Sequence, residues 1–307
     1  MTKKLGLALG SGAARGWAHV GVLRGLKEIG LEPDVIAGCS VGALVGGAHL
    51  IGALDEFEAW ARELKPLSAL SAFSLKLGHG GLIDTASAFS AFSDFDRNIE
   101  ELPVKFGAAA VDLGDGKEVW ITQGSVIDAA RASSAIPVLF HAVEKDGRWL
   151  VDGALANPAP VSLARRLGAD IVISVDLNAV PRVLDRFDPP PPSVPALRPS
   201  DNAVAPTSRP IVRLIDETRR QVEEQISLFK QRAGASPHLL ETTYAASDIF
   251  QMHLARANAT ANPPDILLKP DMRDAMPTAF DRADEFIEKG CQALLDHENA
   301  IQVLLKA

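Results

Sequence analysis

Cysteine is scarce: Cys39 and Cys291 are the two in 307 residues, too few for a disulfide scaffold and suited to a reducing compartment. No run approaches the roughly 18 apolar residues of a membrane span, so no segment is expected to cross a bilayer. Lys3-Lys4 followed by Leu5–Leu9 has the order of a signal peptide, but its apolar stretch is too short for one. The stretch is therefore expected to belong to a mature, cytoplasmic protein, with the surface of the inner membrane as the alternative location. No Cys/His cluster has metal-ligand spacing, so neither a metal nor a cofactor is expected. The net charge of −8 disfavours a broad nucleic-acid surface. No internal repeat is evident. What the chain has is 47% apolar content, enough over this length to bury a large core in one domain of above-average size.

Apolar strand-like runs at 5–9, 34–37, 104–111, 117–122, 140–144, 148–151 and 171–175 alternate with helical segments. That alternation predicts an α/β fold with a largely parallel central sheet, and such sheets place ligands at strand ends. Gly114-Asp115-Gly116 between two runs reads as a hairpin turn, so some pairing should be antiparallel.

Three motifs fall where strands should end. Gly38-Cys39-Ser40-Val41-Gly42 fits G-x-S-x-G, in which Gly38 and Gly42 permit a sharp strand-to-helix turn that lifts the Ser40 hydroxyl clear of its neighbours. Gly10-Ser11-Gly12-Ala13-Ala14-Arg15-Gly16 joins a strand to a helix, and its backbone N–H groups can bind a phosphate or an oxyanion. The third glycine comes one place late for a dinucleotide fingerprint, and the Lys-Ser/Thr pair of a Walker loop is missing. Asp152-Gly153-Ala154 leaves a carboxylate uncrowded after the run 147–151, where it could accept a serine's proton, although Asp-Gly is also a common turn signal.

In this order the three motifs resemble the patatin-like phospholipase family, particularly its bacterial single-domain members. Arg131–Pro137, Trp149–Ala154, Asn157–Val161, Gly168–Asp176 and Pro264–Pro270 carry the resemblance further, over about 5–180 and a patch at about 238–290. The resemblance implies a three-layer α/β/α fold and a Ser-Asp dyad without histidine, Ser40 as nucleophile and Asp152 as base. It also implies an oxyanion loop over Gly10–Gly16, whose donors are expected at Gly12 and Ala13 before Ser11. Relatives commonly carry three consecutive glycines there, whereas Ser11 and Ala13 stand at two of those places here. Gly10, Arg15 and Gly16 complete the loop, with Arg15 either orienting it, balancing the negative site or serving a purely structural role, and Gly153 and Ala154 complete the base motif. The implied activity is acyl-enzyme hydrolysis of a phospholipid or other acyl ester. The alternatives are a lipid-binding module with little turnover, or a Ser-Asp-His α/β-hydrolase. An elbow as early as residue 40 argues against the latter, and the seven histidines, His19 among them, are expected at solvated or core-edge positions. Cys39 is expected to point into the core.

Residues 1–185 are expected to form the catalytic core, 186–210 a proline-rich loop and 211–307 a helical extension packed on the same domain. Segment 66–93 is either an apolar cap or a helix pair on the core. The amphipathic segment 211–232 suits docking on its own domain, a membrane surface or a partner subunit. Segments 66–93 and 211–232 are thus the candidates for peripheral membrane contact, and a homo-oligomer is the open alternative. One closing helix is expected over about 278–305.

Overall fold

The computed structural model describes residues 3–63, 81–83, 90–178, 239–272, 275 and 279–306. The chain divides into two units, Met1–Pro181 with Asp248–Ala307, and Arg182–Ser247. Of the second unit, only 239–247, the opening turns of a helix, are described. Most of segment 66–93 and all of 188–232 lie outside the described residues, as do His79 and His238. Within 66–93, the described pieces are strand β3 (Gly81–Ile83) and part of a 3₁₀ turn over Ser90–Phe95.

The first unit is an α/β fold around one mixed sheet. Its strands are β1 (Leu5–Leu9), β2 (Val35–Cys39), β4 (Lys105–Asp112), β5 (Glu118–Ile121), β7 (Val143–Lys145), β8 (Arg148–Asp152), β9 (Ile171–Val175) and β10 (Ile266–Leu268). They lie in the order β10-β9-β1-β2-β4-β8-β7, with β5 also paired to β4. The pairings of β10, β9, β1, β2 and β4 are parallel, and those of β5, β8 and β7 are antiparallel. Strands β1, β2 and β9 are buried throughout, because helices cover both faces and every residue meets apolar neighbours. Leu7, Leu9, Ile36 and Phe106 pack on one face against helices α1 (Trp17–Glu28), α2 (Val41–Leu50) and α4 (Val126–Ser133), and α3 (Leu54–Glu63) joins the same core through Phe57. The alternate residues Ala8, Ala37, Cys39 and Ala109 are small, and they pack with Val161 and Leu163 of the short helix α5 (Val161–Arg166).

The registers on β4 fix the geometry of the site. Strand β2 pairs with residues 105–109 of β4, and β8 with residues 110–112. Strand β5 pairs with 108–111 and overlaps both ranges, so β2 and β8 share the opposite edge of β4 and meet end to end. The Gly114–Gly116 turn joins β4 to β5, with Gly116 at φ 71°.

Two expected elements are divided. The run 140–144 contains the end of β6 (Val138–Phe140), which pairs with β3, and the start of β7, which pairs with β8. The closing helix is a 3₁₀ turn over Phe280–Arg282 followed by helices α7 (Ala283–Leu295) and α8 (Glu298–Lys306). A turn at Asp296–His297 separates these two helices, and there the His297 ring bonds the Ala293 carbonyl at 2.8 Å.

Helix α7 crosses α1 with backbones in close approach. A methyl on Gly290 would collide with the Ala18 carbonyl, and one on Gly21 with the Ile287 carbonyl. Gly290→Ala is therefore expected to lower stability by about 3 kcal/mol, as overpacking against backbone does. Chemical denaturation would show this as a lower midpoint, and an unchanged midpoint would contradict the close crossing.

Candidate active site

Ser40 stands between the end of β2 and the start of α2 at φ 54° and ψ −124°, an unfavourable backbone for a residue with a Cβ. The surroundings hold it there. Ser40 N–H donates to Ser133 Oγ at 2.9 Å, and Ser133 Oγ donates to the Ala109 carbonyl at 2.6 Å. The amides of Ala43 and Leu44 donate to the Ser40 carbonyl. A Cβ on Gly42 would strike the Leu9 carbonyl and one on Gly38 the Ala43 backbone, so both glycines serve close approach at the elbow.

Asp152 ends β8 opposite Ala110, beside Ala109, which is itself opposite Cys39 at the end of β2. Ser40 Oγ accordingly donates to Asp152 Oδ2 at 2.6 Å, while Ala154 N–H donates to Oδ1 at 2.8 Å. Gly153 lies against the Ala109 carbonyl, where a Cβ would not fit. Both side chains are buried, and burial pushes the Asp152 carboxyl up from its usual 3.8 to about 6, against the opposing hydrogen bonds from Ser40 and Ala154. A hydroxyl bonded to such a carboxylate has a proton acceptor in place, and one of higher basicity than an exposed aspartate.

Not every amide of the glycine loop is free. Gly10 N–H donates to the Val175 carbonyl at 3.1 Å and Ser11 N–H to the Pro158 carbonyl at 2.8 Å, so Ser11, the last of the three expected donors, is already engaged. Arg15 N–H donates to the Gly12 carbonyl at 3.1 Å. Gly12 N–H and Ala13 N–H have no backbone partner among the described residues, and Ala13 is at φ 50°. Gly16 faces the Val41 side chain, with no room for a Cβ. Arg15 is buried: its Nε reaches the Gly12 carbonyl at 3.2 Å and its Nη2 the Asp248 carboxylate at 2.7 Å.

Residues 7–165, more than half of the chain, match the family model described as patatin-like phospholipase. The chain belongs to the patatin-like phospholipase family. An uncharacterized NTE family protein of Mycobacterium tuberculosis is 41% identical over 177 residues, which are 57% of this chain and 49% of that protein. A patatin-like phospholipase domain-containing protein of Caenorhabditis elegans is 30% identical over 57% of this chain and 14% of its own length. A lysophospholipase of Emericella nidulans is 28% identical over 58% of this chain and 12% of its own length. The chain thus matches about half the length of the first of these relatives, and less of the others.

In this patatin-like chain, no histidine among the described residues bonds Ser40 or Asp152. His19, expected at a solvated or core-edge position, is fully buried instead and contacts the Gly10 carbonyl at 2.7 Å through Nε2. Burial lowers its pKa to about 4, so the ring is neutral, and a carbonyl partner requires the proton on Nε2. Cys39 is buried in the core and its thiol is pushed well above its usual pKa, chiefly by burial. No described helix is long and apolar enough to cross a membrane. Sequence reasoning gave no role to Ser133, Pro158, Asn178 or Asp248. Ser133 and Pro158 fall in stretches that carry the family resemblance, and Asn178, whose Nδ2 donates to Ser11 Oγ at 2.9 Å, follows a strand end, whereas nothing local marks Asp248.

The shift of Asp152 has a stability consequence of definite sign. Its folded pKa is raised, so its contribution is most favourable below pH 4 and is lost as pH rises through about 6. Asp152→Asn carries no such charge and should gain on the wild type between pH 4 and 7, by at most about 3 kcal/mol for a shift of this size. Thermal unfolding across that range measures the difference, and a difference independent of pH would contradict a raised folded pKa.

Proposed function

We propose that this protein hydrolyses lipid acyl esters, with lysophospholipids and phospholipids as the substrate class, and that Ser40 and Asp152 form its dyad. The observation that carries the reading is the 2.6 Å hydrogen bond from Ser40 Oγ to a buried Asp152, at a strained elbow in a patatin-like chain. The relatives named lysophospholipase support the choice of substrate.

Asp152 accepts the Ser40 proton as Oγ attacks the ester carbonyl. The oxyanion that forms is held by the Gly12 and Ala13 amides, and each such donor contributes roughly 10²–10³ in rate. Collapse breaks the ester bond, and the leaving alcohol takes the proton from Asp152, which leaves an acyl-Ser40. Water then gives its proton to the same carboxylate, attacks the acyl carbon and releases the fatty acid as Ser40 regains a proton. A carboxyl titrating near 6 serves better as base and acid at neutral pH than one near 4.

Turnover of lysophosphatidylcholine by purified wild type and Ser40→Ala tests the reading. Fatty-acid release is expected from the wild type, with a loss of roughly four orders of magnitude in the variant. Equal release by both proteins would overturn it, and tight lipid binding without release would favour the lipid-binding module instead.

A further inference from the structure

Helix α6 (Leu239–Ala261) carries Asp248, Gln251, Ala255 and Asn258 at spacings of three, four and three, which places them on one helix face. The three polar members of that stripe each bond a loop of the candidate site. Asp248 Oδ1 accepts from Arg15 Nη2 at 2.7 Å, and Gln251 Oε1 accepts from Ser11 Oγ at 2.7 Å. Asn258 Nδ2 donates to the Ala156 carbonyl at 2.9 Å and to Asn157 Oδ1 at 3.3 Å, in the turn that follows Asp152. Ala255, between them, is buried. All four residues lie outside the 7–165 stretch that matches the family model.

The ion pair at the head of the stripe is a costly one. The Arg15 and Asp248 side chains are 4% and 5% exposed, and Asp248 Oδ2 has no hydrogen-bond partner among the described residues. A buried pair with an unsatisfied oxygen is poor for stability compared with apolar residues of similar volume, so its use must be sought in geometry. Arg15 Nε and its backbone N–H both bond the Gly12 carbonyl. In a planar trans peptide the N–H points opposite to the carbonyl, so holding Gly12 C=O fixes the direction of Ala13 N–H.

We propose that Asp248 is a positioning residue which sets the oxyanion loop through Arg15, and that the α6 stripe holds this loop and the Asp152 turn in register. The proposal rests on the hydrolase reading for its kinetic consequences. Its geometric core can be tested without turnover.

The 307-residue wild type, Asp248→Asn, Asp248→Glu and Asn258→Ala would be compared by amide hydrogen exchange and by lysophosphatidylcholine kinetics. Asp248→Asn should speed exchange in peptides covering 10–16, with partial restoration in Asp248→Glu, and Asn258→Ala should speed it in 153–157. In the kinetics, Asp248→Asn should lower kcat about a hundredfold with KM little changed, as loss of an aligned oxyanion donor does. Unchanged exchange over 10–16 in a folded Asp248→Asn overturns the proposal whether or not the wild type turns over. So does a loss confined to KM, or an unchanged kcat in an active protein. An inactive wild type with the expected exchange pattern would instead remove the hydrolase reading and leave the positioning role standing.

Discussion

The hydrogen bond between Ser40 and Asp152 depends on two oppositely running strands that end against each other on one edge of β4. Strand β4 is eight residues long, β2 uses its first five positions and β8 the next three, so the ends of β2 and β8 abut. Ala109 and Ala110 are the neighbouring positions that meet Cys39 and Asp152. A one-residue slip of either strand would turn its side chains to the other face and separate the two oxygens. The antiparallel entry of β8 beside the parallel β2 therefore brings a carboxylate to the C-terminal end of β2, where α/β sheets place their chemistry.

Several local features around this junction oppose stability and are held by their surroundings. A non-glycine residue in the sparsely populated region of Ser40 costs on the order of 1–3 kcal/mol, and the carboxyl of Asp152 is raised to about 6 because its charge is buried. Ala13 adds a second left-handed backbone, and Arg15 with Asp248 adds a buried ion pair. The counterweight is a core that lines both faces of the sheet. Its small residues let the loops approach: Gly42 touches the Leu9 carbonyl and Gly153 the Ala109 carbonyl. Strain and burial concentrated at one strand junction are what a preorganised site requires.

The fold was legible where apolar runs are continuous. Residues 5–9 and 171–175 are buried on both faces, and a run that is apolar throughout, or nearly so as with the buried Ser174, is the pattern such strands leave. Gly114–Gly116 marked its hairpin because the turn needs a positive φ, supplied by Gly116. The run 140–144 misled because strand propensity does not reveal that Phe140 and Val143 belong to different partners, β3 and β8. At the site, short motifs pointed to the elbow, the loop and the carboxylate, since each is a local backbone device. The state of each loop amide was not legible. Whether Ser11 N–H is free depends on the Pro158 carbonyl, nearly 150 residues away in the chain, and no spacing rule carries that information. The same holds for Asp248, whose bond to Arg15 spans 233 residues.

In the proposed dyad one buried carboxylate, without a histidine, activates Ser40. The rate at which a fluorophosphonate modifies the wild type and Asp152→Asn, followed by intact mass from about two pH units below the raised pKa to about two above it, tests it. A single adduct on Ser40 is predicted, with a rate that rises through a midpoint near 6 and is slow and pH-independent in Asp152→Asn. Full-rate modification of Asp152→Asn, or a midpoint unmoved by that substitution, would contradict the dyad.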